Sequence, residues 1–141
     1  MILRTEGVSK IFGSLRALHN VDLEIVKGEV FGIAGPNGAG KSTFFNVVAG
    51  AFPPTKGRIL FDGHDITTLK SHQTCNLGLA RTFQVPQTFP TLTVYDNIRV
   101  GITFGTTRKT GLKNRIEKTL DFLDLNDVRD VMASNLDLYT T

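Results

Sequence analysis

Apolar residues change their spacing several times along this chain, and each change predicts a different element. Residues 2–8 and 17–26 read as β-strands; in the second, Leu18, Val21, Leu23 and Ile25 nearly alternate with polar neighbours, as in a half-buried strand. Lys27-Gly28-Glu29 reads as a turn. The next run, Val30-Phe31-Gly32-Ile33-Ala34, is short and wholly apolar, the pattern of a buried central strand. A glycine-rich loop, residues 35–40, follows it. From Lys41 the run Ser42-Thr43-Phe44-Phe45-Asn46-Val47-Val48-Ala49 reads as a helix that Gly50 ends.

Further along, Pro53-Pro54-Thr55-Lys56-Gly57 predicts a turn, residues 58–61 a strand, and Asp62-Gly63 a tight hairpin signal. A short helix is expected within residues 67–78 and a strand over residues 79–84, with Pro86 and Pro90 imposing loop beyond it. Leu112, Ile116, Leu120 and Leu123 recur at helical spacing, with Lys113, Glu117, Lys118 and Asp121 on the other faces. A second short helix is expected from about Asn126, carrying Val128, Val131 and Met132.

Composition narrows the class. At 141 residues, 40% hydrophobic and 21% charged, the chain has ordinary globular values and the length of one domain or part of one. Sixteen Lys and Arg against thirteen Asp and Glu give a net charge of +3, scattered along the chain, so no nucleic-acid partner is expected. Cys75 has no second cysteine to pair with, which fits a reducing cytosol. No apolar run reaches the ~18 residues that cross a bilayer, and the first residues do not read as a signal peptide.

The candidate chemistry lies at Gly35-Pro36-Asn37-Gly38-Ala39-Gly40-Lys41-Ser42, which fits the phosphate-binding pattern G-x-x-x-x-G-K-[ST] between an expected strand and an expected helix. Glycines let the backbone approach phosphate oxygens, and the N–H groups at a helix start favour anions. Lys41 adds a mobile positive charge, and the Ser42 hydroxyl is a suitable Mg²⁺ ligand. The D-x-x-G and N-K-x-D elements that a GTPase would add after the loop are absent.

From Met1 to about Val100 the sequence resembles the nucleotide-binding domain of ABC transporters. The loop continues as Gly-Lys-Ser-Thr through Thr43, and it is preceded by Val8-Ser9-Lys10-Ile11-Phe12-Gly13, Ala17-Leu18 and Val21-Asp22-Leu23. After it come Ala49-Gly50, Pro54-Thr55-Lys56-Gly57-Arg58-Ile59 and Phe61-Asp62-Gly63-His64-Asp65-Ile66. Arg81-Thr82-Phe83-Gln84, then Phe89-Pro90-Thr91-Leu92-Thr93-Val94-Tyr95-Asp96-Asn97, resemble the Q-loop and its sequel. The last stretch is most similar to the ATP-binding subunit of branched-chain amino acid importers.

The resemblance implies an α/β P-loop NTPase fold of the ABC type. Residues 1–90 would form the antiparallel β part and the P-loop and Q-loop core, with an incomplete parallel sheet. Residues 91–141 would form part of the helical subdomain. It implies that Phe12 stacks on adenine, that Gly35, Pro36, Asn37, Gly38, Ala39, Gly40, Lys41, Ser42 and Thr43 hold ATP, and that Ser42 and Gln84 hold Mg²⁺. Gln84 and Lys41 would be the catalytic groups. The implied partners are transmembrane permease subunits and a second ATP-binding subunit, on the inner face of the cell membrane.

The family's signature, Asp-Glu strand and switch histidine do not follow in these residues; Ala133-Ser134-Asn135-Leu136 resembles the approach to the signature, but residues 137–141 do not continue it. The expectation is that this chain alone binds Mg-ATP without turnover. The alternative is a remnant that self-associates through the uncovered sheet. Elsewhere, His19, His64 and His72 lack the spacing of a metal site, Asp62 and Asp65 read as turn residues, and Cys75 reads as a small apolar filler.

Overall fold

The computed structural model describes residues 1–83, 85, 87–105 and 110–136, which form two compact units, 1–79 and 80–141. In the first unit, β1 (Leu3–Phe12) and β2 (Leu15–Ile25) make an antiparallel hairpin. α1 spans Lys41–Val48; β3 (Lys56–Phe61) pairs with the other side of β1, and β4 (His64–Asp65) closes a second hairpin onto β3. The sheet order is β2-β1-β3-β4, antiparallel throughout. The β3–β4 turn is the expected Asp62-Gly63, both at positive φ (45° and 79°), the geometry a two-residue hairpin needs.

Alternation explains the sheet. Val8 and Ile59 are fully buried and Leu18 nearly so, whereas Arg4 lies on an exposed face between Glu6 (2.9 Å) and its register partner Glu24 (3.3 Å). β1 is irregular between Thr5 and Ile11, and Gly57 fits there because it has no side chain. A Cβ on Gly57 would lie 2.5 Å from the backbone of Glu6 and Gly7, and its φ is +91°.

α1 covers this sheet with Phe44, Val47 and Val48, all buried against Val8, Leu18, Ile59 and Ile66. Burying each such side chain is worth about 1.5–3 kcal/mol. Its C-terminus turns at Gly50 (φ 75°), as expected. α2 (Ser71–Asn76) is tied to that end by the buried Thr74 hydroxyl, 3.0 Å from the Ala49 carbonyl.

Two expected strands are corrected. Residues 30–34 are not a buried central strand: they are irregular, Val30 is 99% exposed and Phe31 44%. The run has the composition of a strand, but a strand is completed by ladder partners, and no described segment pairs with it. Residues 79–83 are likewise irregular and belong to no described strand, and residue 84 lies outside the described set.

In the second unit α3 (Val94–Phe104) and α4 (Leu112–Phe122) pack through Val94, Ile116 and Leu120, with Tyr95, Ile98, Ile102, Leu125 and Val128 around them. α4 is the helix expected from Leu112, Ile116 and Leu120. The short helix expected from about Asn126 is only a 3₁₀ turn, Asn126–Val128, which ends before Val131 and Met132. α3 was not foreseen as a helix. Arg129 holds the turn against α4 by a two-pronged pair with Glu117 (2.9 and 3.0 Å) and lies 5.2 Å from the Tyr95 ring centroid. The hydrogen bonds that the Arg129 guanidinium donates to the Glu117 carboxylate hold its pKa above its ordinary value.

Candidate phosphate-binding site

The start of α1 is built from three features of sequence. Gly40 is the N-cap at φ 86°, and a Cβ there would lie 2.5 Å from the Ala17 carbonyl, so only glycine lets the loop lie this close to β2. The cap provides no side-chain acceptor, and no acidic residue occupies the first turn. The first helical bond runs from the Phe44 N–H to the Gly40 carbonyl at 2.8 Å.

The N–H groups of Lys41, Ser42 and Thr43 therefore precede the helical ladder, and among the described residues none of them donates to a protein group. Their partial charges add to the positive end of the helix dipole. Residues 35–39 are exposed, as is Ser42 at the helix start.

Lys41 supplies the mobile charge. Its Nζ donates to the Gly35 carbonyl at 2.6 Å and to the Pro36 carbonyl at 2.8 Å. The ammonium thus folds back over the loop and is held by two exposed neutral acceptors. An anion in the loop offers it an ion pair as well as hydrogen bonds, which the neutral carbonyls do not. Beside Lys41 lies a cavity of about 260 Å³ lined mainly by Leu18, Val21, Leu23, Phe31, Ile33 and Phe44. It is apolar, unlike the loop.

The β1–β2 hairpin brings a fourth feature near. Phe12 pairs with Leu15, two residues before the Ala17 that Gly40 abuts. At about 3.3 Å per residue, that places Phe12 about 7 Å along the strand from the loop's end. Phe12 is 44% exposed. Its edge meets Phe52 (centroids 5.3 Å apart, planes at 84°), and the Lys10 Nζ lies 5.1 Å from its centroid.

The structure thus gathers Phe12, residues 35–43, Lys41 and Ser42 within one unit. Gln84 lies outside the described residues. Lys10 and Phe52 were missed in the sequence, where nothing local marks residues 42 positions apart as neighbours.

The loop of residues 35–42 opening α1 marks the P-loop NTPase class. The ABC transporter family model matches residues 18–138, and the chain belongs to that family. It is 36% identical to a probable branched-chain amino acid transport ATP-binding protein of Archaeoglobus fulgidus, over 96% of this chain and 57% of that protein. It is 37% identical to a spermidine/putrescine import ATP-binding protein of Protochlamydia amoebophila, over 86% of this chain and 32% of that one. Among solved structures, the ADP conformation of an ABC transporter's ATP-binding cassette superposes with a TM-score of 0.77 at 35% identity, over 96% of this chain and 59% of that chain. The chain spans somewhat over half of the first relative's length.

Proposed function

We propose that this chain is the nucleotide-binding part of an ATP-binding subunit of an ABC importer for branched-chain or related amino acids. The observation that carries the reading is the start of α1: three undonated N–H groups, no cap, no acid, and Lys41 turned over the loop. That arrangement suits a polyphosphate. The amino acid class rests on the likeness to the Archaeoglobus protein; the polyamine importer among the relatives supports only the wider class of importer.

In this reading Lys41 leaves the Gly35 and Pro36 carbonyls for the outer phosphates, the N–H groups of residues 38–43 surround them, and the exposed Phe12 ring stacks on adenine. Ser42 fits Mg²⁺ as an oxygen donor. Among the described residues no three His, Cys, Asp or Glu side chains gather to hold a metal, so the ion would depend on Ser42 and nucleotide oxygens. Gln84 is proposed, from the resemblance alone, as a further Mg²⁺ ligand and as the group that meets the attacking water.

Residues 91–141 are proposed as part of the helical subdomain. Permease subunits and a second ATP-binding subunit are the proposed partners, on the inner face of the membrane; among the described residues no helix is long and apolar enough to cross it. The 141 residues by themselves are proposed to bind Mg-ATP without turning it over, which an ATPase assay against Lys41→Ala checks.

The exposed Val30 and Phe31 favour a second reading, in which copies associate through residues 30–34. Light scattering across a concentration series tests it; a monomer at every concentration removes it. The main reading is tested by a thermal melt with and without Mg-ATP. Ligand at ~100 times its Kd adds about 2.7 kcal/mol to a folded binder, and the shift is expected only with Lys41 intact. No shift in the unmutated chain contradicts the reading.

A further inference from the structure

We propose that Lys10 and Phe52 are positioning residues that hold the Phe12 ring ready for a nucleotide base, an inference that rests on the base-stacking role of Phe12 given above. Three contacts carry it. The Lys10 Nζ donates to the Pro53 carbonyl at 2.6 Å and at the same time lies 5.1 Å from the Phe12 centroid and 4.8 Å from the Phe52 centroid. The two rings meet edge to face, at 84°. One cation thus bridges two aromatic rings and is itself fixed by a backbone acceptor.

The support beneath this cluster is firm. The Thr55 N–H donates to the Ser9 carbonyl at 2.8 Å, and the Ile11 N–H donates to the Thr55 hydroxyl at 3.0 Å. The segment that carries Phe52 and Pro53 is therefore laced to the last residues of β1, which carry Lys10 and Phe12. Phe52 packs against the buried core of the sheet, whereas Phe12 keeps 44% of its surface exposed.

A half-exposed phenylalanine at a hairpin tip would otherwise sample several rotamers, and a base would have to order it on binding. Contacts that order it in advance lower that cost. The positive charge also draws on the electron density of the Phe12 ring. Lys10 has a reason here that its sequence position does not announce: its ammonium is turned onto the ring pair and the Pro53 carbonyl, and a phosphate role would need it elsewhere.

The experiment compares two ligands on the full chain, Mg-ATP and Mg-tripolyphosphate. Both use the loop, and only ATP carries a base. Lys10→Met keeps the aliphatic stem and removes the charge; Lys10→Arg restores a cation and donor; Phe52→Leu removes the edge contact. Lys10→Met and Phe52→Leu are expected to weaken ATP about threefold each and to leave tripolyphosphate affinity unchanged, and Lys10→Arg to recover ATP affinity; Phe52→Leu also lowers the ligand-free melt, because Phe52 packs against the core.

Phe12→Ala separates this proposal from the reading beneath it, and it is expected to weaken ATP at least about fivefold with tripolyphosphate unaffected. If Phe12→Ala weakens ATP but Lys10→Met and Phe52→Leu do not, the positioning role is overturned and stacking survives. Equal weakening of both ligands by Lys10→Met and Phe52→Leu also overturns it, as a general effect on the fold. Unchanged ATP affinity in Phe12→Ala, or no ATP binding by the unmutated chain, overturns both.

Discussion

Two helices in this molecule begin in opposite ways. α3 is closed by a distant segment and by its own cap: the Val94 N–H donates to the Val131 carbonyl (3.0 Å), the Tyr95 N–H to the Arg129 carbonyl (2.9 Å), and the Asp96 N–H to the Thr93 hydroxyl (3.1 Å). Asp96 also sits in its first turn and complements the helix dipole. α1 has none of this. Its N-cap is Gly40, its first turn is without acid, and among the described residues its first three N–H groups donate to no protein group. One start is finished by the fold, and the other is left for an anion. The difference separates a helix end made for stability from one made for a ligand.

The contrast can be broken in both directions. Lys41→Ala removes the mobile charge of the open end. At about 1.5–3 kcal/mol per charged hydrogen bond, Mg-ATP affinity is expected to fall on the order of 100-fold in a calorimetric titration, with the ligand-free melt little changed. Thr43→Asp places an acid in α1's first turn, where α3 has Asp96. It is expected to raise ligand-free stability by about 0.3–1 kcal/mol and to weaken Mg-ATP about tenfold by charge repulsion. Opposite signs in melt and titration are the mark of a binding end; a loss of both would contradict the comparison.

Opening the closed end has a smaller effect. Thr93→Ala deletes the side-chain cap of α3 and is expected to cost about 1 kcal/mol, or about 3 °C in Tm, with Mg-ATP affinity unchanged.

The smallest effect is on acid stability. The Asp65 carboxylate accepts from the Thr67 hydroxyl and N–H and from Arg58, and these bonds, the Thr67 hydroxyl first, hold its pKa at about 2. A pKa lowered by folding stabilises the protein above the unfolded carboxylate value near ~4. That stability is lost as pH falls from there toward the folded value of about 2. Asp65 is largely exposed, so solvent screening keeps the effect modest. Melts between those pH values should show a shallower slope in Asp65→Asn.

Much of this was legible in the chain because it is local. The P-loop spelling, the Asp62-Gly63 hairpin, the α4 periodicity and the alternation in β2 each depend on residues a few positions apart. Val30 to Ala34 misled because composition specifies an apolar strand, whereas a strand is completed by hydrogen bonds to segments elsewhere. α3 was overlooked although its signals were present: Thr93 and Asp96 as cap and first-turn acid, then Val94, Ile98 and Ile102 at helical spacing. Lys10, Phe12 and Phe52 meet only because residues 53–55 lie against the end of β1, and no local pattern encodes that.

The central claim is that α1's open start holds polyphosphate, and the most direct measurement is a calorimetric titration of Mg-ATP into the unmutated chain and into Lys41→Ala. The account predicts saturable binding of one nucleotide per chain and its loss in the variant. Equal affinity in the two, or no binding by an unmutated chain that melts cooperatively, would contradict it.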